Sequence, residues 1–159
     1  MKRYVGIIVI IAIFAILIIM TIVRRNYNNN IQINIEELAQ RIVKSSSFED
    51  SLEKVDNELI MNTYGFLPDS IEEIISYQGS GASSEEVLIL KVKDVNDVNN
   101  EKEIIETRLN EKKDAYASYM PEEVSKIENR ILIEKGNYLI LCICNDYDTV
   151  NNIIDDYLR

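Results

Sequence analysis

The sequence predicts an α+β protein: a single N-terminal transmembrane helix followed by a small domain. In that domain a four-stranded antiparallel sheet, built as two ββα units, carries helices on one face, and further helices precede it. Three observations lead there. An unbroken apolar run lies near the N-terminus, two pairs of β-branched segments are each split by turn residues, and each pair is followed by a polar segment with helical apolar spacing. The 159 residues leave room for one ordinary domain beyond the run.

The run extends from Val5 to Val23, VGIIVIIAIFAILIIMTIV, with no charge. At about 1.5 Å per residue it reaches nearly the ~30 Å of a bilayer core. A cleavable signal peptide is the alternative, since Lys2 and Arg3 form a basic start. The run exceeds the roughly 7–15 residues of a signal core and no A-x-A pattern follows it. The reading is therefore a membrane anchor over residues 1–25, a polar tether over 26–33 and a folded domain over 34–159. Lys2 and Arg3 are nearly balanced by Arg24 and Arg25, so the basic bias leans only slightly towards an inside N-terminus.

In the domain, Asn34 caps a helix with Glu37 at its third position, and Ile35, Leu38, Ala39, Ile42 and Val43 mark its apolar stripe. A second helix runs from Asp56 to Tyr64 and is closed by Gly65. The stretch from Phe48 to Val55 between them fits a helix or a loop. IEEIISYQ and EVLILKVK then read as two strands joined through QGSGASSEE, Gln78 to Glu86. A long polar helix follows over about Asp97–Ser118, with Val98, Ile105, Leu109, Tyr116 and Tyr119 at helical spacing. Pro121 opens a short helix with Glu122 and Glu123 in its first turn. NRILIEKGNYLILCICND is a second hairpin turning at Lys135-Gly136-Asn137. Val150, Ile153, Ile154, Tyr157 and Leu158 make a last amphipathic helix.

Val87–Asn100 and Tyr138–Asn151 align without a gap, Ile89 on Ile140 and Asp97 on Asp148, which suggests two hairpin-helix units or shared strand vocabulary. The sheet would turn Leu88, Leu90, Val92, Leu139, Leu141 and Ile143 to the helices. Ile140, Cys142 and Cys144 would fall on the other face, too apolar to stand bare, so the N-terminal helices or a partner should cover it.

Charge and residue chemistry exclude several functions. Thirteen of the seventeen basic residues and all twenty-seven acidic ones fall after Arg25, a net charge of −14 there. Such a domain repels phosphate backbones, so nucleic acid is not an expected partner. The glycine-serine stretch lacks the G-x-x-x-x-G-K-[ST] pattern and is followed by carboxylates and a strand, so it reads as a hairpin connection. Asp146-Tyr-Asp148 and Asp97-Val-Asn99 echo the start of a calcium loop but lack its sixth-position glycine and terminal glutamate. Asp97 and Asp148 read instead as helix starters. No histidine is present and no serine or cysteine is marked as a nucleophile. Cys142 and Cys144 read as buried free thiols. No enzyme activity, cofactor or metal site is expected.

Tyr64-Gly65, SGASSEE from Ser80 to Glu86, Arg108, YASYMPEE from Tyr116 to Glu123 with Asn129, and KGNY from Lys135 to Tyr138 resemble the domain-of-unknown-function family 4358. The resemblance covers roughly Ile35 to Tyr157. It implies a small envelope protein of Gram-positive bacteria, tethered outside the membrane by a lipid or one helix. No cysteine follows the apolar run to take a lipid, which leaves the helix as anchor. The family carries no established activity, so no catalytic residue transfers. The expectation is a membrane-tethered, extracytoplasmic, non-enzymatic module that binds another envelope protein or an envelope component. Its candidate contact residues are Tyr116, Tyr119, Glu122 and Glu123 on one patch, and Ile140 and Cys142 on another. The alternative is a ligand or cation sensor domain that uses the acidic loops.

Overall fold

The structure, a computed structural model, describes residues 10–20 and 32–159. Residues 10–20 are helical (α1) and carry exposed apolar side chains such as Phe14. The anchor expected over Val5–Val23 therefore lies partly outside the described residues. Eleven helical residues rise only about 17 Å, well short of a bilayer core. Among the described residues no helix is long and apolar enough to cross a membrane, and this corrects the expected transmembrane helix. The tether over 26–33 falls mostly outside the described residues as well.

The second compact unit, Ile33–Arg159, is built from α2 (Ile35–Val43), β1 (Glu53–Lys54), α3 (Asn57–Tyr64), β2 (Ile71–Gln78), β3 (Glu86–Val92), α4 (Val98–Tyr119), α5 (Pro121–Glu128), β4 (Ile131–Lys135), β5 (Tyr138–Ile143) and α6 (Tyr147–Leu158). Its sheet has five antiparallel strands in the order β1-β2-β3-β5-β4, not the expected four. The extra strand is β1, two charged residues that pair with Gln78 and Tyr77 at one edge. Two residues carry no alternating apolar signal, which is why the Phe48–Val55 stretch fits no pattern.

Helices cover both faces of the sheet, not one. On the first face Leu88, Leu90, Val92, Leu139, Leu141 and Ile143 meet Ile60 and Tyr64 of α3, Ile105 and Leu109 of α4, and Ile127 of α5. On the second, α2 lies over β2 and β3 and against α6, burying Leu38, Ala39 and Ile42 together with Val150 and Ile154. β3 and β5 are thus buried on both faces, which explains their continuous apolar runs. The Tyr157 hydroxyl donates to the Asn34 carbonyl at 3.3 Å, and the Arg41 guanidinium lies 5.1 Å from the Tyr157 ring, tying α6 to α2.

The pairing of β3 with β5 is centred on Ile89 and Ile140, the two residues that the internal alignment superposes. The hairpins accordingly sit about a local two-fold axis, while α4 and α6 go to opposite faces. The similarity in structure stops at the strands.

Capping follows the sequence with one change. The Asn34 side chain accepts from the Glu37 amide at 3.0 Å, and Asp56 accepts from Glu58 and Leu59. The last helix is capped by Asp146, which accepts from the Thr149 amide at 3.0 Å, so Asp148 lies inside the first turn rather than before it. Asp97 precedes α4 without a side-chain capping bond.

Gly65 ends α3 at φ 79°, and its N–H donates to the Met61 carbonyl at 2.9 Å. A Cβ there would meet nothing within 4 Å. Gly65→Ala should therefore cost only the left-handed backbone penalty, about 1 kcal/mol. Thermal unfolding should show a Tm lower by about 3–5 °C; an unchanged Tm would mean that the helix end is not held in this conformation.

Candidate functional site: a cleft framed by the glycine-serine loop

The β2–β3 connection, Gly79–Glu85, is held by two carboxylates and a tyrosine hydroxyl. Asp50 accepts from the Ser80 amide at 2.7 Å and from the Ser80 and Ser83 hydroxyls. Gly79 runs so close beneath Asp50 that a Cβ would stand 2.7 Å from its Oδ2, so this position takes no side chain without displacing the clasp. Glu123, from the first turn of α5, accepts from the Ser84 amide at 2.7 Å and the Ser84 hydroxyl at 2.9 Å. The Tyr116 hydroxyl donates to the Ser83 carbonyl at 2.6 Å.

The two glutamates that close the loop point to opposite sides of the sheet. Glu85 accepts from the Glu49 and Asp50 amides, the shortest contact being 2.8 Å. Glu86 turns to the other face, where the Lys112 ammonium, the Gln78 amide and the Tyr64 hydroxyl each donate to it at 2.8 Å. Lys126 gathers the remainder, with its Nζ 2.9 Å from Glu49, 3.0 Å from Glu123 and 3.5 Å from Glu85.

These neighbours fix the protonation states. Burial would raise the Glu86 pKa, but Lys112 and the hydrogen bonds from Gln78 and Tyr64 bring it below the ordinary carboxylate value. Glu123 is also lowered, against its burial, by the Ser84 donors and Lys126. Lys126 is raised despite desolvation, because Glu49, Glu123 and Glu85 surround it. Tyr64 and Tyr116 are both raised, first by burial and then by the Glu86 anion and by Tyr119, respectively. Each shift moves its group further from neutral pH, so these residues are held as fixed charges or neutral hydroxyls. A general acid or base needs the opposite displacement.

Between this loop and the C-terminal half of α4 lies a cavity of about 230 Å³, lined by Tyr64, Gly81, Ser83, Lys112, Tyr116 and Tyr119. A wider hollow of about 550 Å³ between α3 and α4 shares Tyr64 and Arg108 with it. Tyr119 is 59% exposed, and its ring centroid lies 5.1 Å from that of Tyr116.

The sequence candidates separate here. Tyr116 and Glu123 are buried and brace the loop, while Tyr119 and Glu122 face solvent. Ile140 and Cys142 are fully buried on the sheet face covered by α2 and α6, so the folded domain presents neither to a partner. Cys142 and Cys144 are buried free thiols. Among the described residues no cluster of three or more carboxylates and thiols is placed to hold a metal ion. Sequence reasoning missed Asp50, Glu85, Glu86, Lys112 and Lys126. Only the position of Lys126, three residues after Glu123, hinted at a pair.

A family model, domain of unknown function (DUF4358), matches residues 44–144. The chain belongs to that family. The match spans every residue that frames the cleft and leaves out α2 and α6 entirely, the two helices on the second sheet face. No curated protein and no solved structure matches the chain. Family membership supplies no activity, so the chemistry of the cleft has to be read from its own residues.

Removing Lys112 isolates a buried anion. Lys112→Met should destabilise the domain by about 3–5 kcal/mol in urea titrations at neutral pH. In the native protein the folded pKa of Glu86 lies below its unfolded value of about 4.5, so its contribution is complete above that pH and is lost as pH falls through the lowered folded value. In Lys112→Met burial is no longer offset by the ammonium, so the folded pKa of Glu86 rises and the stability lost on acidification should shrink or turn into a gain. Identical stability-pH curves for the two proteins would contradict the pairing.

Proposed function

We propose that the domain is a non-enzymatic interaction module. It holds a protein or envelope component at the cleft between the glycine-serine loop and α4. The observation that carries this reading is Tyr119, an exposed aromatic side chain at the mouth of a cleft whose frame is rigidly braced. Tyrosine supplies a large contact with few rotamers to freeze, and it is favoured at interfaces for that reason. The locked protonation states of Glu86, Glu123 and Lys126 support recognition over acid-base chemistry. Glu122 adds an exposed carboxylate three residues past the end of α4, in the first turn of α5. An extracytoplasmic position, which the family resemblance implies, belongs to the same proposal.

Tyr119→Ala tests the cleft because the side chain is exposed and its loss should leave folding intact. Chemical cross-linking in intact cells, followed by purification of the chain, should lose its partner band in Tyr119→Ala and keep it in Leu67→Ala, an equally exposed control elsewhere. The Tm of both variants should match the parent. Equal bands from Tyr119→Ala and the parent would remove the cleft as the contact. A rise in Tm with millimolar calcium would favour the cation-sensor alternative.

A further inference from the structure

The strand β4 is one edge of the sheet, and its backbone pattern, charges and apolar residues are self-complementary. A two-residue turn joins β4 to β5, with Lys135 paired to Tyr138 across it. In such a hairpin the flanking pair exchanges hydrogen bonds and every second pair does so again. Lys135, Ile133 and Ile131 therefore spend their backbone groups on β5. Leu132 and Glu134 turn theirs to the open edge, as does the Arg130 carbonyl. An edge with free donors and acceptors is a template for another strand.

We propose that this edge pairs antiparallel with β4 of a second copy of the chain, about a two-fold axis through Leu132. Antiparallel pairing joins outward-facing residues to outward-facing residues, as the registers centred on Ile133 and on Leu132 both do. Centred on Ile133, the pairing would set Glu134 against Leu132 and bury a carboxylate on an apolar side chain. Centred on Leu132, it sets Leu132 against Leu132, Ile131 against Ile133, and Arg130 against Glu134 twice. Opposite charges directly across a ladder stabilise it, and the apolar pairs do the same. About four inter-chain N–H···O bonds form, two between the Leu132 residues and two from Glu134 to the Arg130 carbonyl.

Arg130 is suited to a second carboxylate. Its Nη2 is paired with Glu106 and its Nη1 donates to the Ile127 and Glu128 carbonyls, yet 27% of the side chain stays exposed, so its charge is open to a further carboxylate. Glu134 is exposed over 43% of its side chain and has only a loose contact of 3.5 Å, to Lys102. Both lie on the α4 face of the sheet together with Leu132, since Leu132 pairs with Leu141 and Glu134 with Leu139. The result is a continuous ten-stranded sheet across two copies, with the Tyr119 cleft outside the pairing edge.

Sedimentation velocity on the full chain over a range of concentrations tests the register. The parent should dimerise. Glu134→Arg, at an exposed position, should fold and weaken the dimer about tenfold, because two attractive pairs become repulsive. Combining it with Arg130→Glu should restore the dimer. Independently, Leu132→Cys should cross-link to itself under mild oxidation, since residues facing each other in a hydrogen-bonded pair stand at disulfide spacing. Should the double variant not fold, that cross-link decides. A parent that stays monomeric, a dimer indifferent to Glu134→Arg, or a Leu132→Cys protein that cross-links no faster than Leu67→Cys would overturn the proposal.

Discussion

Glu86 opens the central strand with only 2% of its surface exposed, and an ionised carboxylate in that position has to be met by donors. Lys112 reaches it from α4, Gln78 from β2 and Tyr64 from α3. These three contacts fix where α3 and α4 sit over the sheet. The hollow between those helices and the cleft beside the loop are consequences of that spacing. A buried pair of this kind adds little net stability compared with an apolar substitute, but it penalises any arrangement that leaves the charge alone. It therefore acts chiefly on which arrangement is adopted.

The loop repeats the same logic with backbone donors. Seven residues without regular structure would leave several N–H groups near the protein surface unsatisfied. Asp50, Glu85 and Glu123 take up those of the loop and of the segment beside it. The serine hydroxyls add to the clasp at Ser80, Ser83 and Ser84. The glycine-serine density that resembles a phosphate loop is thus explained by acids: the loop's amides already serve internal carboxylates, and an incoming phosphate would meet Asp50 and Glu123 in its place.

The fold was readable wherever the apolar period was long enough. Helices α2, α3 and α6, both hairpins and the inward set Leu88 to Ile143 follow from spacing and turn residues. The strand β1 was hidden because Glu53 and Lys54 contribute only backbone to the sheet. The second helical layer was only partly visible: the apolar face of Ile140, Cys142 and Cys144 announced that something covers it, without naming α6. The site was the least legible part. Tyr116 and Tyr119 belong to one stripe by spacing, yet one braces the loop and the other is exposed, a difference that helical spacing does not carry. Glu85, Glu86 and Lys126 read as members of a solvated acidic surface, because composition shows charge and not the partner that neutralises it.

The central claim is that internal carboxylates hold the glycine-serine loop in one conformation and so shape the cleft. Amide hydrogen exchange at Ser80 and Ser84, compared between the parent and Glu123→Gln, tests it most directly. The account predicts strong protection of both amides in the parent, and in Glu123→Gln a loss confined mainly to Ser84 while Ser80 remains held by Asp50. Exchange of both amides at the rate of an unstructured chain in the folded parent would contradict it.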